Sequence, residues 1–281
     1  MSKSNDDEQR FFFKAAIAIS TVSFTAGMAE KCNSQDMPLR SETVSSAAES
    51  KPHDWISECP PAISRLIDIG HVRMLVDDDA VNAENKSALT IFHFATQFEV
   101  RYKFLSVSKN PTGERDAALA VRFINPSLSA EHEIKLMSAY RPLRPWDSRL
   151  LLHEMDHVSI STDPRLFKIL KNLLYESYKL RMVLPASSTG DNEVIMQTIN
   201  QRQRERLDTF EKLIQNYYVR LDEESNNGLT AINKRRDFFM NLYTLKDLRS
   251  SNFAYLSEVQ SLLANDSIQE VEQHYLLEAT Q

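Results

Sequence analysis

The sequence predicts an α+β fold in which a small antiparallel sheet is followed by a helical half. Between residues 61 and 140, short runs of β-branched and aromatic residues alternate with charged ones, most clearly in Phe98–Phe104. From Trp146 onward, apolar residues recur at spacings of three and four, which is typical of amphipathic helices. We therefore divide the predicted folded domain, residues 61–281, into a sheet region (61–140) and a helical region (141–281).

Four runs in the sheet region are predicted strands with one buried and one solvated face. They are Val72–Val76, Leu89–Phe94, Phe98–Phe104 and Leu119–Ile124. The segment Asn110-Pro111-Thr112-Gly113 is a turn signal between strands, and Asn125-Pro126 is expected to end the last strand.

The helical region is predicted to contain three main helices and a last helix that runs toward Tyr275. The first follows Leu150-Leu151-Leu152, and the second begins at Pro164, runs to about Leu180 and has Asp163 or Thr162 as its cap. A long third helix, with apolar residues from Leu207 to Leu221, is expected to end near Asn226-Asn227-Gly228. The helical pattern continues toward Tyr275.

The N-terminal residues have the pattern of a targeting segment followed by a linker. Lys14 precedes an uncharged run, Ala15–Ala29, so residues 1–29 are predicted to be a signal peptide or an N-terminal anchor. Residues 30–60 have the polar composition of a linker. We therefore expect an exported protein of the periplasm, the cell envelope or the exterior, with membrane association only through this segment. Cys32 and Cys59 could pair after export.

Composition excludes several classes of function. The net charge is −6, so nothing favours a nucleic-acid partner. Only five glycines are present and no glycine-rich phosphate loop occurs. The two cysteines are not in the spacing of a zinc ribbon.

The segment His153-Glu154-Met155-Asp156-His157 is an H-E-x-x-H motif in a predicted helix. Residues four apart share a helix face, so His153 and His157 are expected to bind one Zn²⁺ ion. Glu154 is expected to act as the general base on a water molecule that the ion activates. The motif therefore predicts a zinc-dependent hydrolase.

A catalytic zinc needs a third protein ligand, and the sequence offers several carboxylates. Asp222 and Glu224 lie in the densest acidic cluster after the motif, where three acids oppose the negative end of the long helix. Asp163 has the spacing of some short-spaced zincins, but helix capping already explains it; Glu176 is a weaker candidate. We favour Asp222 or Glu224.

The order of strands, motif helix and acidic turn resembles the bacterial family described as predicted secreted zinc-dependent proteases. After the motif, that family has a pattern of roughly Asp-x-Glu-Thr-x-His-Gly, and here the region reads Asp222-Glu223-Glu224-Ser225-Asn226-Asn227-Gly228. The resemblance implies a zinc-dependent peptidase acting on a peptide or protein. Asn227 stands where the family has His, so either Asp222 or Glu224 replaces that residue or the metal site is weakened. The alternative is a non-catalytic helical binding protein of the envelope with a degenerate zinc site.

Overall fold

A five-stranded sheet, with helices packed against it, forms the fold. The computed structural model describes residues 13–18, 55–56, 59–84, 86–140, 144–263 and 268–275. The strands are β1 (Phe13–Ala18), β2 (Val72–Val76), β3 (Ala88–Lys109), β4 (Arg115–Leu136) and β5 (Tyr178–Leu184). The helices are α1 (Pro61–Gly70), α2 (Asp78–Ala83), α3 (Arg149–Ser161), α4 (Pro164–Tyr175), α5 (Asp191–Ser225), α6 (Arg235–Asn241), α7 (Leu245–Ser250), α8 (Leu256–Val259) and α9 (Ile268–His274). The expected α+β class is confirmed.

The long hairpin of β3 and β4 is the centre of the sheet. Each strand has 22 residues, and the predicted turn at residues 110–113 joins them. The separate runs predicted at 89–94 and 98–104 are one strand, and β4 continues through Asn125-Pro126 instead of ending there. The register shift places two β4 residues opposite the single residue Phe98, and Asn125 has φ 49°. This bulge absorbs a proline, which cannot donate to the ladder.

The sheet is mixed, so the expectation of an antiparallel sheet was wrong at one edge. β4 is antiparallel to β3 and β5, but β2 lies parallel to it, with Val72 opposite His132. β2 and β3 run in opposite directions, and β4 lies between them. Alternation of apolar and polar residues identifies a strand, but it does not show which strand lies beside it or whether the two run parallel. This explains the error.

In the predicted folded domain, the sequence analysis did not identify α1, α2 or β5. α1 and α2 lie inside the region predicted as strands; α1 has Pro61 in its first turn, and Asp77 caps α2 by accepting a hydrogen bond from the backbone of Ala80. The second predicted helix ends at Tyr175, not near Leu180, and β5 follows it. The β-rich run of β5 contains no Gly or Pro that would have marked the change.

Little of the N-terminal region is within the described residues. Within the predicted signal segment, β1 pairs antiparallel with β3, from Phe13 opposite Val100 to Ala18 opposite Ala95. Most of the predicted linker and Cys32 lie outside the described residues. Trp55, inside that linker, is buried in the core, so the folded part begins before residue 61. In the described part of the chain, we find no helix with both the length and the apolar character of a membrane span.

The motif helix α3 packs against the apolar core on one side and against α5 on the other. Leu151, Met155 and Val158 are buried in a core cluster with α1, β2 and the end of β4. His153 and His157, on another face, contact α5. The helix is thus fixed by its apolar side, and its polar face is presented to α5.

One carboxylate on α5 gives the fold a pH-dependent stability. Glu211 is buried, and burial together with the nearby charge of Asp208 raises the pKa of Glu211 from 4.5 to about 7. Its ionisation is therefore costlier in the folded chain than in the unfolded chain. The contribution of Glu211 to the free energy of unfolding is therefore most favourable below pH 4.5. It falls as the pH rises towards 7 and is constant at higher pH.

We expect Glu211→Gln to be more stable than the wild type at pH 8, by roughly 2–3 kcal/mol, and nearly equal to it at pH 4. Urea unfolding of both proteins at the two pH values measures this difference. The same substitution at the exposed Glu223 of the same helix is the control and should change stability little at either pH. An equal gain for Glu211→Gln at both pH values would contradict an effect of ionisation.

Candidate metal centre

Three buried side chains from α3 and α5 converge on one point. The Nε2 atoms of His153 and His157 each lie 3.0 Å from Oδ1 of Asp222, and the two Nε2 atoms are 3.2 Å apart. All three residues are less than a tenth exposed. Among the described residues, these are the His, Cys, Asp and Glu side chains whose ligand atoms come together in a group of three or more.

Of the four candidate carboxylates, one lies beside the two histidines. Asp222 joins the two histidines, whereas Glu224, two residues later, is exposed and outside the group. Asp163 is the cap of α4, as expected, accepting from the backbone of Arg165 and pairing with its guanidinium. Glu176 is exposed at the end of α4. Asn227 is exposed too, so the group forms without it.

The hydrogen bonds of Ser225 determine which nitrogen of His153 has a proton. The Ser225 hydroxyl donates to the carbonyl of Leu221 at 2.7 Å, because a carbonyl can only accept. The bond of 3.2 Å between Ser225 Oγ and His153 Nδ1 must then have Nδ1–H as the donor. Nε2 of His153 is left with a free lone pair in the neutral ring, which is the state of a metal ligand.

This tautomer restricts the protonation states that the group can adopt without a metal. For Asp222 to accept hydrogen bonds from both imidazoles, each Nε2 must have a proton, and His153 must then be a cation. The two N–H groups would also face each other across 3.2 Å. A bound ion would satisfy all three lone pairs at once. Ligand atoms about 2.0–2.1 Å from a tetrahedral zinc lie about 3.3 Å apart, close to the separations observed here.

The electrostatics keep Asp222 ionised. Burial alone would raise the pKa of its carboxyl. Without a bound ion, the charge at His157, hydrogen bonds from both protonated Nε2 atoms and the charge of Lys86 outweigh burial and hold this pKa well below its usual range. Lys86 Nζ lies 2.9 Å from Oδ2, so Oδ1 and Oδ2 have different partners. For His153, burial lowers the pKa, but the hydrogen bond that its protonated ring donates to Asp222 and the charges of Glu154 and Asp222 raise it overall.

Glu154 is held beside the group by a strand residue. The hydroxyl of Thr90, on β3, donates to Oε2 of Glu154 at 2.6 Å. Glu154, His157 and Asp222 line the same small cavity between β3, α3 and α5, with a volume of about 30 Å³. That is room for about one water molecule. A carboxylate beside such a space can accept a proton from the water.

A turn after α5 fixes the His153 ring. Gly228 has φ +79°, and its backbone N–H donates to Ser225 Oγ. A Cβ at this position would lie 2.9 Å from Cγ of His153, closer than real contacts allow. Glycine is therefore required here both for its backbone conformation and for its packing against the imidazole.

We expect Gly228→Ala to weaken zinc affinity at least 10-fold, because a displaced His153 loses its ligand geometry. Backbone strain should also lower stability by about 1–2 kcal/mol. Gly190→Ala is the matched control: Gly190 has φ +87°, but a Cβ there would meet nothing within 4 Å. Chelator competition and urea unfolding separate the two effects, and equal losses of zinc affinity in both variants would remove the role of Gly228 at the site.

Sequence reasoning missed three supporting residues of this centre. Thr90 is 64 positions from Glu154, and Lys86 is 136 positions from Asp222, so no local pattern connects either pair. In the sequence, Ser225 is notable only as part of the acidic turn. Its spacing of three from both Asp222 and Gly228 places it at the helix end, and this was the one signal available.

Comparison with protein-family models, with curated proteins and with solved structures finds no match to this chain. The resemblance to secreted zinc-dependent proteases therefore stays a prediction, and the function must be argued from the geometry.

Proposed function

We propose that this protein is a zinc-dependent hydrolase whose metal ligands are His153, His157 and Asp222. The observation that supports this most is the convergence of three buried ligand atoms within 3.0–3.2 Å, contributed by two helices. Two imidazoles and one carboxylate form a donor set used by catalytic zinc, which leaves a further coordination position open. A zinc ion there would lower the pKa of a water molecule towards neutrality.

The residues of the chain itself have separable tasks in this proposal. Glu154 accepts the proton of the water and returns it to the leaving group, while Thr90 keeps the carboxylate aimed at the cavity. Lys86 holds Oδ2 of Asp222, which leaves Oδ1 for the ion. Ser225 keeps the lone pair of His153 Nε2 available.

Peptide-bond hydrolysis is the reaction that we favour, because the H-E-x-x-H spacing places a general base next to the first ligand. The same donor set, two histidines and one carboxylate, also suits non-haem iron(II). Glu154 favours the zinc enzyme, because a second carboxylate at the site provides a base for hydrolysis. The export of this enzyme remains part of the proposal, and N-terminal sequencing of the protein from its native host tests it.

The metal content of the purified protein tests the proposal directly. We expect about one zinc per chain by elemental analysis, together with cleavage of an unstructured protein such as casein. The matched control is Asp163→Asn, which keeps a capping oxygen on α4 and should retain the zinc. One iron in place of zinc would redirect the proposal to an oxygenase-type centre. Stoichiometric zinc without any cleavage would contradict the hydrolytic role alone. A metal-free protein without cleavage would contradict the proposal and favour the non-catalytic alternative with a degenerate zinc site.

A further inference from the structure

The two histidines of the metal centre are held in different ways. Nδ1 of His153 donates to Ser225, but Nδ1 of His157 is buried and has no hydrogen-bond partner among the described residues. The ring of Tyr218 instead lies against the His157 imidazole, with ring centroids 4.3 Å apart and planes inclined at 55°. A metal-binding histidine is usually oriented by a hydrogen bond from its second ring nitrogen. At His157, packing against the Tyr218 ring takes the place of that hydrogen bond.

Tyr218 is itself fixed by a directed chain of hydrogen bonds. Its hydroxyl donates to Oγ of Ser161 at 3.0 Å. Nδ1–H of His132 must donate to the carbonyl of Gly70, at 2.6 Å, so Nε2 of His132 accepts from the Ser161 hydroxyl at 2.5 Å. Burial lowers the pKa of His132 to about 4, so this ring is neutral near pH 7 and the direction of the chain is maintained.

The chain of bonds connects the structural elements that form the metal centre. Ser161 is the last residue of α3, Tyr218 lies on α5, and His132 lies on β4. Tyr218 and Asp222 are four residues apart on α5 and therefore lie on one face. Phe92 of β3 packs edge-on to the Tyr218 ring, with centroids 5.4 Å apart. The ring is therefore held from both the strand side and the helix side.

We propose that Tyr218 is a positioning residue: its ring orients the His157 imidazole, and Ser161 and His132 anchor its hydroxyl. This also assigns a task to His132, which has no part in the metal centre itself. The effect on metal affinity rests on the proposed function, whereas the effect on the orientation of His157 does not.

Two variants separate the ring from the hydroxyl. Tyr218→Leu removes the ring and keeps an apolar side chain, and we expect zinc affinity to fall 10- to 100-fold. Tyr218→Phe keeps the ring and removes the anchor, with an expected loss of about 3- to 10-fold. Ser161→Ala should cause a loss similar to that of Tyr218→Phe, and the double variant should be no worse than either single variant, because both remove one anchor.

A metal-independent measurement keeps the proposal testable if the protein binds no zinc. In the NMR spectrum of the chelator-treated protein, the Cε1–Hε1 signal of His157 should be narrow in the wild type. It should shift and broaden in Tyr218→Leu, because the ring current and the packing are lost. If the wild type binds no metal but its His157 signal still shifts and broadens in Tyr218→Leu, the proposed function is refuted and the positioning role is supported.

Tyr243→Phe is the matched control. Its hydroxyl also donates to a residue of α3, but to a carbonyl, that of Ile160, at 2.8 Å, and the side chain is buried. This variant should lose stability but keep both zinc affinity and the His157 signal. Three results would overturn the proposal: an unchanged His157 signal in Tyr218→Leu, multiplicative losses for Tyr218→Phe and Ser161→Ala, or a Tyr218→Phe variant with lower turnover and unchanged zinc affinity. The last would mean that the hydroxyl acts on the substrate.

Discussion

Asp222→Ala, His153→Ala and His157→Ala are each expected to abolish stoichiometric zinc binding. Each variant removes one of the three proposed ligands, and a catalytic zinc site needs three protein ligands beside its open position. For Asp222 the loss is enlarged by charge, because its carboxylate is the one anion in the group of three. Asp222→Asn should therefore fail nearly as completely as Asp222→Ala, although it preserves the shape of the side chain.

The controls for this result come from the same acidic turn and from the α4 cap. Glu224→Ala removes an exposed carboxylate outside the group and should keep the zinc. Asp163→Asn should keep it as well. Elemental analysis after exhaustive dialysis measures the content, and circular dichroism shows whether each variant is folded. Full zinc content in a folded Asp222→Asn variant would exclude Asp222 as a ligand.

Glu154→Gln is expected to retain zinc and to lose hydrolysis by a factor of about 10²–10⁴. The amide still accepts the hydrogen bond from Thr90 and keeps the volume of the carboxylate, but it cannot accept a proton from water. Because Glu154 is not among the three converging residues, its loss should leave metal affinity largely unchanged. This separation of binding from turnover is the signature of a general base.

Steady-state cleavage of a peptide mixture by zinc-loaded wild type and Glu154→Gln, with the zinc content of each preparation measured, tests this assignment. Glu223→Gln, at an exposed position outside the site, is the control for an unrelated change of a carboxylate and should keep full activity. Unchanged turnover in a fully loaded Glu154→Gln variant would remove the residue from its proposed role.

The parts of the site that the sequence predicted are those with local spacing. His153 and His157 are four apart, so a helix brings their rings together whatever the rest of the fold is. The end of α5 was also predicted correctly, because Asn226 and Asn227 adopt positive φ after a regular apolar repeat. The sequence could not decide between Asp222 and Glu224 as the carboxylate beside the histidines, because the two lie two residues apart in one helix turn. Packing buries Asp222 and leaves Glu224 exposed.

The parts that could not be predicted depend on which segments meet. Whether β2 runs parallel to β4 and whether Thr90 faces Glu154 are properties of strand order and register. The sequence contains short apolar runs for these strands but no signal for their partners. The first residues of β5, up to Leu180, were predicted as helix because they are compatible with both periods, and pairing with β4 decides between them.

The separation of the proposed ligands along the chain has a consequence for how the protein would mature. His157 and Asp222 are 65 positions apart, on helices that come together only when α5 docks on α3. An ion that binds the docked arrangement and not the unfolded chain would lower the free energy of the folded state by RT ln(1 + [ion]/Kd), about 2.7 kcal/mol at 100 times Kd. The ion would then bind after the chain has collapsed. The fraction of molecules with bound metal in a preparation would therefore report the fraction that is fully folded. A chelator would act on such a protein as a selective denaturant of one helix–helix contact, and the melting temperature would follow the free ion concentration.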